Sequence, residues 1–135
     1  MPVHPRFVHF PIAFLFVSAI ALLYAIARRE DAVARWGWVA MLIGWLALLP
    51  AILTGLVDQS RVSGDPEWTS AVNRHITGGI GTLVVFGYAL YERLRTKRPL
   101  PDRPWLLALV LALGLGVLIL TGEWGGRLAY TFPLP

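Results

Sequence analysis

The chain has three histidines, and they are its best candidates for binding a metal ion or a haem iron. His4 and His9 lie in the opening segment HPRFVHFP, and His75 follows much later. The chain has no cysteine, which excludes disulfides, thiolate metal sites and cysteine-ligated iron–sulfur clusters. Imidazole and carboxylate groups remain as ligands, and imidazole binds haem iron and transition metals. No histidine lies in a recognisable nucleophile motif, so hydrolytic chemistry is not indicated.

The spacing of the first two histidines argues against one small metal ion bound by both. Residues five apart on a regular helix point about 140° away from each other. Pro11 leaves two conformations open here. A helix that starts at Pro5 contains Pro11 and is kinked there, whereas a helix that starts at Pro11 leaves His9 in an extended segment.

The elements that must position the histidines are long apolar helices. The chain has 135 residues, of which 56% are hydrophobic, and a mean hydropathy of +0.62, as expected of a membrane protein. A bilayer core of about 30 Å requires about 20 helical residues. Four stretches lack Asp, Glu, Lys and Arg: Phe7–Ala27, Trp36–Val57, Ile76–Tyr91 and Trp105–Gly122. The third stretch is short and needs extra turns that begin near Pro66.

The predicted fold is an all-α membrane protein, a four-transmembrane-helix bundle that forms a single domain over residues 1–135. Continuous apolar runs favour helices over the alternating pattern of a membrane barrel. Asp65 and Pro66 predict the start of the third helix, as N-cap and first helical residue. The predicted helices cover residues 5–28, 34–57, 66–94 and 104–122.

Basic residues in the connections predict the orientation of the helices. Three arginines follow the first helix, and five Lys and Arg residues lie between 93 and 103. Positive charge marks the cytoplasmic side, so both termini are expected on the outer (periplasmic) side of a multi-pass protein of the inner (plasma) membrane. Topology accounts for the net charge of +4, and no nucleic-acid partner is predicted.

All three histidines then fall in the outer half of the membrane, among other polar residues. Counting from Pro66 puts His75 about 13 Å into the third helix. Below it, Gly78 and Gly79 leave a bare backbone that suits either a flat porphyrin or close helix packing. The remaining candidates on this side are Asp58, Arg74, Gly126 and Arg127.

The second helix carries a stripe of small residues without a histidine, which predicts a packing seam. Trp45 lies in the middle of this helix and is predicted to be a core residue rather than a cofactor clamp. The stripe consists of Gly37, Ala40, Gly44, Ala47, Ala51 and Gly55.

The opening HPRFVHFPIAF is similar to the signature of a bacterial four-helix membrane family, domain of unknown function 2231. The resemblance continues through Thr54-Gly55-Leu56-Val57-Asp58, His75 and the closing segment GEWGGRLAY at residues 122–130. The chain departs from it at Gly78 and Gly79, where members often have an Asn. The resemblance implies a haem-binding or redox-associated membrane protein, without assigning an activity.

The leading hypothesis is a b-type cytochrome-like protein that binds haem b between the first and third helices near the outer face. His9 and His75 are the expected axial ligands, and such iron transfers single electrons. His4 would replace His9 or bond a propionate. The expected supporting residues are Arg74, with Arg6 or Arg127, for the propionates and Asp58 for orienting an imidazole.

Two alternatives stay open beside haem. One is a non-catalytic membrane subunit or anchor, or a partner of a redox complex that binds quinone. The other is a copper or zinc site formed by His4, His9, His75 and Asp58. In each case an electron-transfer or binding subunit is expected rather than a stand-alone enzyme. The expected partners are the lipid bilayer, a redox protein or quinone, and other copies or subunits of a complex.

Overall fold

The computed structural model describes residues 4–60 and 64–131, with side chains from residue 7 onward. These residues form four long helices and no strand. The helices are α1 His4–Arg28, α2 Asp31–Ser60, α3 Pro66–Thr96 and α4 Pro104–Thr131. The all-α membrane fold is therefore confirmed. The largest difference from the sequence expectation is α4, which continues past residue 122 to Thr131.

The start of α3 is confirmed in detail. Asp65 has an extended backbone, and its Oδ1 accepts a hydrogen bond from the backbone N–H of Glu67 at 2.9 Å. Pro66 occupies the first turn, where its missing N–H costs nothing. The helix ends at Lys97, which takes a left-handed conformation and donates its N–H to the carbonyl of Arg93.

Pro11 lies inside the first helix rather than at its start. α1 begins at His4 and continues through a buried Pro11, so His9 lies within the helix. Pro50 likewise lies inside α2, where the hydroxyl of Thr54 donates to the Pro50 carbonyl at 2.9 Å. Each proline removes one backbone donor from its helix.

The four helices form a square, antiparallel bundle. Within the described residues, α1 packs on α2 and α4, and α3 packs on the same two helices. α1 and α3 therefore face each other across the diagonal. Glycines allow the close approaches between neighbours: Gly44 lies against Leu15 of α1, and Gly114 of α4 lies against the ring of Phe86.

Large apolar side chains fill the middle of the bundle and one end of it. Leu15, Met41, Phe86 and Leu111 are almost wholly buried there. Trp45 is part of this packing, because its indole N–H donates to the Leu83 carbonyl at 2.8 Å. We call the other end, formed by the first turns of α1 and α3 and the last turns of α2 and α4, the His75 end. Its buried positions hold smaller residues, among them Ala51, Val72 and Gly78.

Three of the helices are long and apolar enough to cross a membrane: Phe7–Arg28 within α1, then α2 and α4. Their outward faces carry exposed apolar side chains such as Val17, Leu53 and Leu113, as contact with lipid requires. α3 is as long, but its uncharged stretch covers only residues 76–91. A fourth membrane span formed by α3 remains a prediction.

Candidate functional site

His75 lies in the seam between α3 and α4. Its Nδ1 is 3.0 Å from the backbone carbonyl oxygen of Thr121. A carbonyl only accepts, so Nδ1 must carry the proton and donate this bond. The neutral ring then has its lone pair on Nε2. This is the tautomer in which a histidine binds a metal through Nε2 while a backbone carbonyl orients the ring.

The seam around His75 is shaped by glycines. A Cβ added at Gly125 would lie only 2.7 Å from Cε1 of His75, so the ring occupies the space that a side chain would need. The Thr121 side chain covers Gly78 in the same seam, and its hydroxyl donates to the Val117 carbonyl at 2.7 Å. Gly78 therefore does not provide an open strip for a porphyrin. A Cβ built on Gly79, in contrast, would have no atom of the described residues within 4 Å apart from its chain neighbours and the nearby backbone of α3.

Helix register brings the start of α1 to the level of His75. Leu15 of α1 lies against Gly44 of α2, and the two helices run in opposite directions. Eleven residues back along α1 and eleven residues forward along α2, the backbone of His4 is therefore level with Gly55. Trp45 of α2 contacts α3 between Leu83 and Gly87. Ten residues forward along α2 and ten residues back along α3, Gly55 is level with about residue 75. The side chains of residues 4–6 lie outside the described part of the chain, and so do the predicted roles of His4.

The ends of the uncharged stretch of α4 give an expected depth for His75. Arg103, just before α4, and Glu123 are twenty residues apart, which is about 30 Å along the chain and close to the thickness of a hydrocarbon core. His75 contacts Thr121 and Gly125, on either side of Glu123. A bilayer that covers this uncharged stretch of α4 would therefore place the ring at the boundary of its hydrocarbon core rather than deep inside it.

The other predicted axial ligand is not beside His75. His9 is exposed on α1, and α1 makes no contact with α3 among the residues described. Asp58 is half-buried on α2, one turn beyond Thr54. The structure thus places Asp58 and His75 at the same end of the bundle but leaves His9 on the surface of its helix.

Two of the predicted propionate partners, Arg74 and Arg127, line one groove between the first turns of α3 and the last turns of α4. Arg74 is exposed and also lines a second groove along α3. Arg127 forms an ion pair with Glu123 at 2.5 Å on the surface of α4. Gly126 has open space where a Cβ would stand. His75 is not among the residues that line either groove.

Sequence reasoning missed Thr121 and Gly125, which hold His75 in place. Gly125 belongs to the closing GEWGGRLAY segment, but the sequence predicted Gly126 as the site residue of that segment. Thr121 contributes a backbone carbonyl, and a carbonyl has no sequence signal. Among the described side chains, no group of three or more His, Asp or Glu residues has the arrangement of a metal site.

Comparison with known proteins gives one match. A family model described as "Predicted membrane protein (DUF2231)" matches residues 1–134. No curated protein and no solved structure matches the chain.

Proposed function

The chain belongs to the DUF2231 family of predicted membrane proteins, and for this member we propose a b-type cytochrome-like function, with haem b bound at the His75 end. The observation that carries the proposal is the bond from Nδ1 of His75 to the Thr121 carbonyl. It orients the ring and puts the lone pair on Nε2, as an axial ligand requires. Bound haem would supply one-electron transfer.

The second ligand is proposed to come from the start of α1. α1 and α3 are diagonal partners, and a diagonal separation exceeds the roughly 8–10 Å between adjacent helices. A flat group between two ring ligands fits that wider space better than the α3–α4 seam, which Thr121 and His75 already fill. The backbone of His4 is level with His75, whereas His9 is exposed. His4 therefore replaces His9 as the proposed partner.

The remaining parts of the proposal follow from charge and topology. The basic residues after α1 and α3 favour an inner-membrane location with both termini on the outer side. In that orientation the His75 end faces outward, where a soluble redox protein can exchange electrons with the haem. Asp58, half-buried at the same end, is the proposed carboxylate that supports an imidazole.

An optical spectrum of the purified protein, expressed with haem supplied, tests the proposal with three variants. His75→Ala should lose the Soret and α-bands, because Nε2 of His75 is the fixed ligand. His4→Ala should convert a low-spin spectrum to a high-spin one. His9→Ala should leave the spectrum unchanged and serves as the matched control. A His75→Ala protein with the wild-type spectrum contradicts the proposal, and loss of the bands in His9→Ala would restore His9 as the ligand.

A quinone-binding subunit is the second candidate function. Nε2 of His75 can accept a hydrogen bond from a quinol hydroxyl, and the expected depth of the ring, at the membrane boundary, is one that a quinone head group can reach. A colourless protein that binds a quinone analogue, and loses that binding in His75→Ala, would favour this function over the cytochrome.

A further inference from the structure

A groove with several polar side chains in its lining runs along the outside of α3 at the His75 end. It has a volume of about 680 Å³. Its lining combines a carboxylate, a guanidinium group, hydroxyls and an amide with the indole of one tryptophan from α4. The lining residues used below are Asp65, Ser70, Asn73, Arg74, Thr77 and Trp124.

The expected position of the bilayer places the inner end of this groove at the depth of lipid head groups. Trp124 lines this inner end and is next to Glu123, at which the uncharged stretch of α4 ends. Asp65 lies at its outer end, twelve residues before Thr77, so the groove extends about 18 Å outward along α3. Tryptophan is common at this interface because its ring is apolar and its N–H is polar.

The same face of α3 becomes apolar below the groove. Ile80 and Val84 follow Thr77 at helical spacing, and they are 49% and 63% exposed. Gly79, beside them, has no atom within 4 Å of a built Cβ. From outside to inside the face therefore presents polar side chains and then an apolar surface, which is the order of a phospholipid from head group to acyl chains.

The two charges of the groove are also in the order of a zwitterionic head group. In a helix the Cα–Cβ bonds tilt towards the N-terminus, so the Arg74 side chain leans outward from the membrane boundary. Arginine is well suited to a phosphate, because its guanidinium group offers paired donors. The Asp65 carboxylate lies nine residues further out, about 13.5 Å of helix, and the outward-leaning Arg74 side chain shortens the distance between the two charges.

We propose that this groove binds an aminophospholipid of the phosphatidylethanolamine type, with its phosphate on Arg74 and its ammonium group on Asp65. Ser70 and Asn73 supply neutral hydrogen bonds, and the acyl chains lie along Ile80 and Val84. Trp124 forms the wall contributed by α4. The proposal is independent of the cytochrome function, since none of these residues contacts His75 in a described hydrogen bond.

Native mass spectrometry of the protein released from nanodiscs tests the phosphate contact. In nanodiscs of phosphatidylethanolamine and phosphatidylcholine, the wild type should retain phosphatidylethanolamine. Arg74→Gln should reduce retention about tenfold, because a charge-assisted hydrogen bond is lost. Arg103→Gln, an exposed arginine at the opposite end of the bundle, is the control and should retain lipid as the wild type does. Equal retention by all three proteins means non-specific annular lipid and overturns the proposal.

A second variant tests the ammonium contact. Asp65→Asn keeps a good N-cap, so α3 should still begin normally. In nanodiscs of phosphatidylethanolamine and phosphatidylglycerol, the wild type should prefer the former, and Asp65→Asn should lose that preference while still retaining lipid. An unchanged preference in Asp65→Asn contradicts the assignment of the amine.

Discussion

At the scale of single residues, the proposed haem site depends on one histidine and the groups that orient it. The Thr121 carbonyl fixes the tautomer of His75, and Gly125 leaves room for its ring. The sequence identified His75 because a polar residue near an apolar helix is conspicuous. It did not identify Thr121 and Gly125, because a carbonyl acceptor and the side of a helix that faces a neighbour are properties of the packed bundle.

Gly125→Ala tests this orientation. The new methyl group would lie 2.7 Å from Cε1 of His75, so the ring must move and the bond to Thr121 weakens. We expect a loss of about 1–3 kcal/mol in the free energy of unfolding. Haem-loaded protein should also show altered bands.

Gly122→Ala is the control for that experiment, since Gly122 lies in the same helix and has open space at its Cβ position. Its stability should stay the same or rise by up to about 1 kcal/mol, because alanine favours helix. Thermal unfolding in detergent measures both variants. Equal unfolding temperatures of the Gly125→Ala and Gly122→Ala proteins would contradict the packing described for His75.

At the scale of elements, sequence reasoning succeeded where local chemistry decides the outcome. Asp65 and Pro66 start α3 as predicted, because capping involves only neighbouring residues. The glycine stripe of α2 does contain packing positions, since Gly44 contacts Leu15 of α1. The end of α4 was predicted too early. Hydropathy reports where lipid ends, whereas a helix can continue into the interface, as α4 does to Thr131.

Gly44→Ala tests the seam between α1 and α2. A Cβ at this position would lie 3.0 Å from the backbone nitrogen of Leu15, and a helix backbone cannot move aside cheaply. We expect a loss of about 1–2 kcal/mol in the free energy of unfolding. Gly116→Ala, on an open face of α4, should show no such loss. The seam is refuted if both variants unfold at the same temperature as the wild type.

At the scale of the whole molecule, the arrangement of the helices changed the assignment of the site. The motif resemblance is confirmed, since the family model covers residues 1–134. Nothing in the sequence shows, however, which helices are adjacent. Only the bundle shows that α1 and α3 are diagonal, and that His75 packs against Thr121 and Gly125 of α4. Adjacency depends on contacts between distant segments, which periodicity does not encode.

The absence of cysteine makes the topology directly testable. Single cysteines at Ser70 and Arg98 lie at opposite ends of α3, and both positions are exposed. In intact cells a membrane-impermeant thiol reagent should label Ser70→Cys, because the His75 end is predicted to face outward. Arg98→Cys should be labelled only after the cells are opened. The reverse labelling pattern would show that the His75 end faces the cytoplasm.

The most direct test of the central claim is the haem content of the purified protein, measured as a pyridine haemochrome. The wild type, produced with haem supplied, should contain haem b, and His75→Ala should contain almost none, with Gly122→Ala equal to the wild type. Wild-type protein that folds but contains no haem, or His75→Ala protein that keeps the wild-type amount, would contradict the assignment of His75 as a haem ligand.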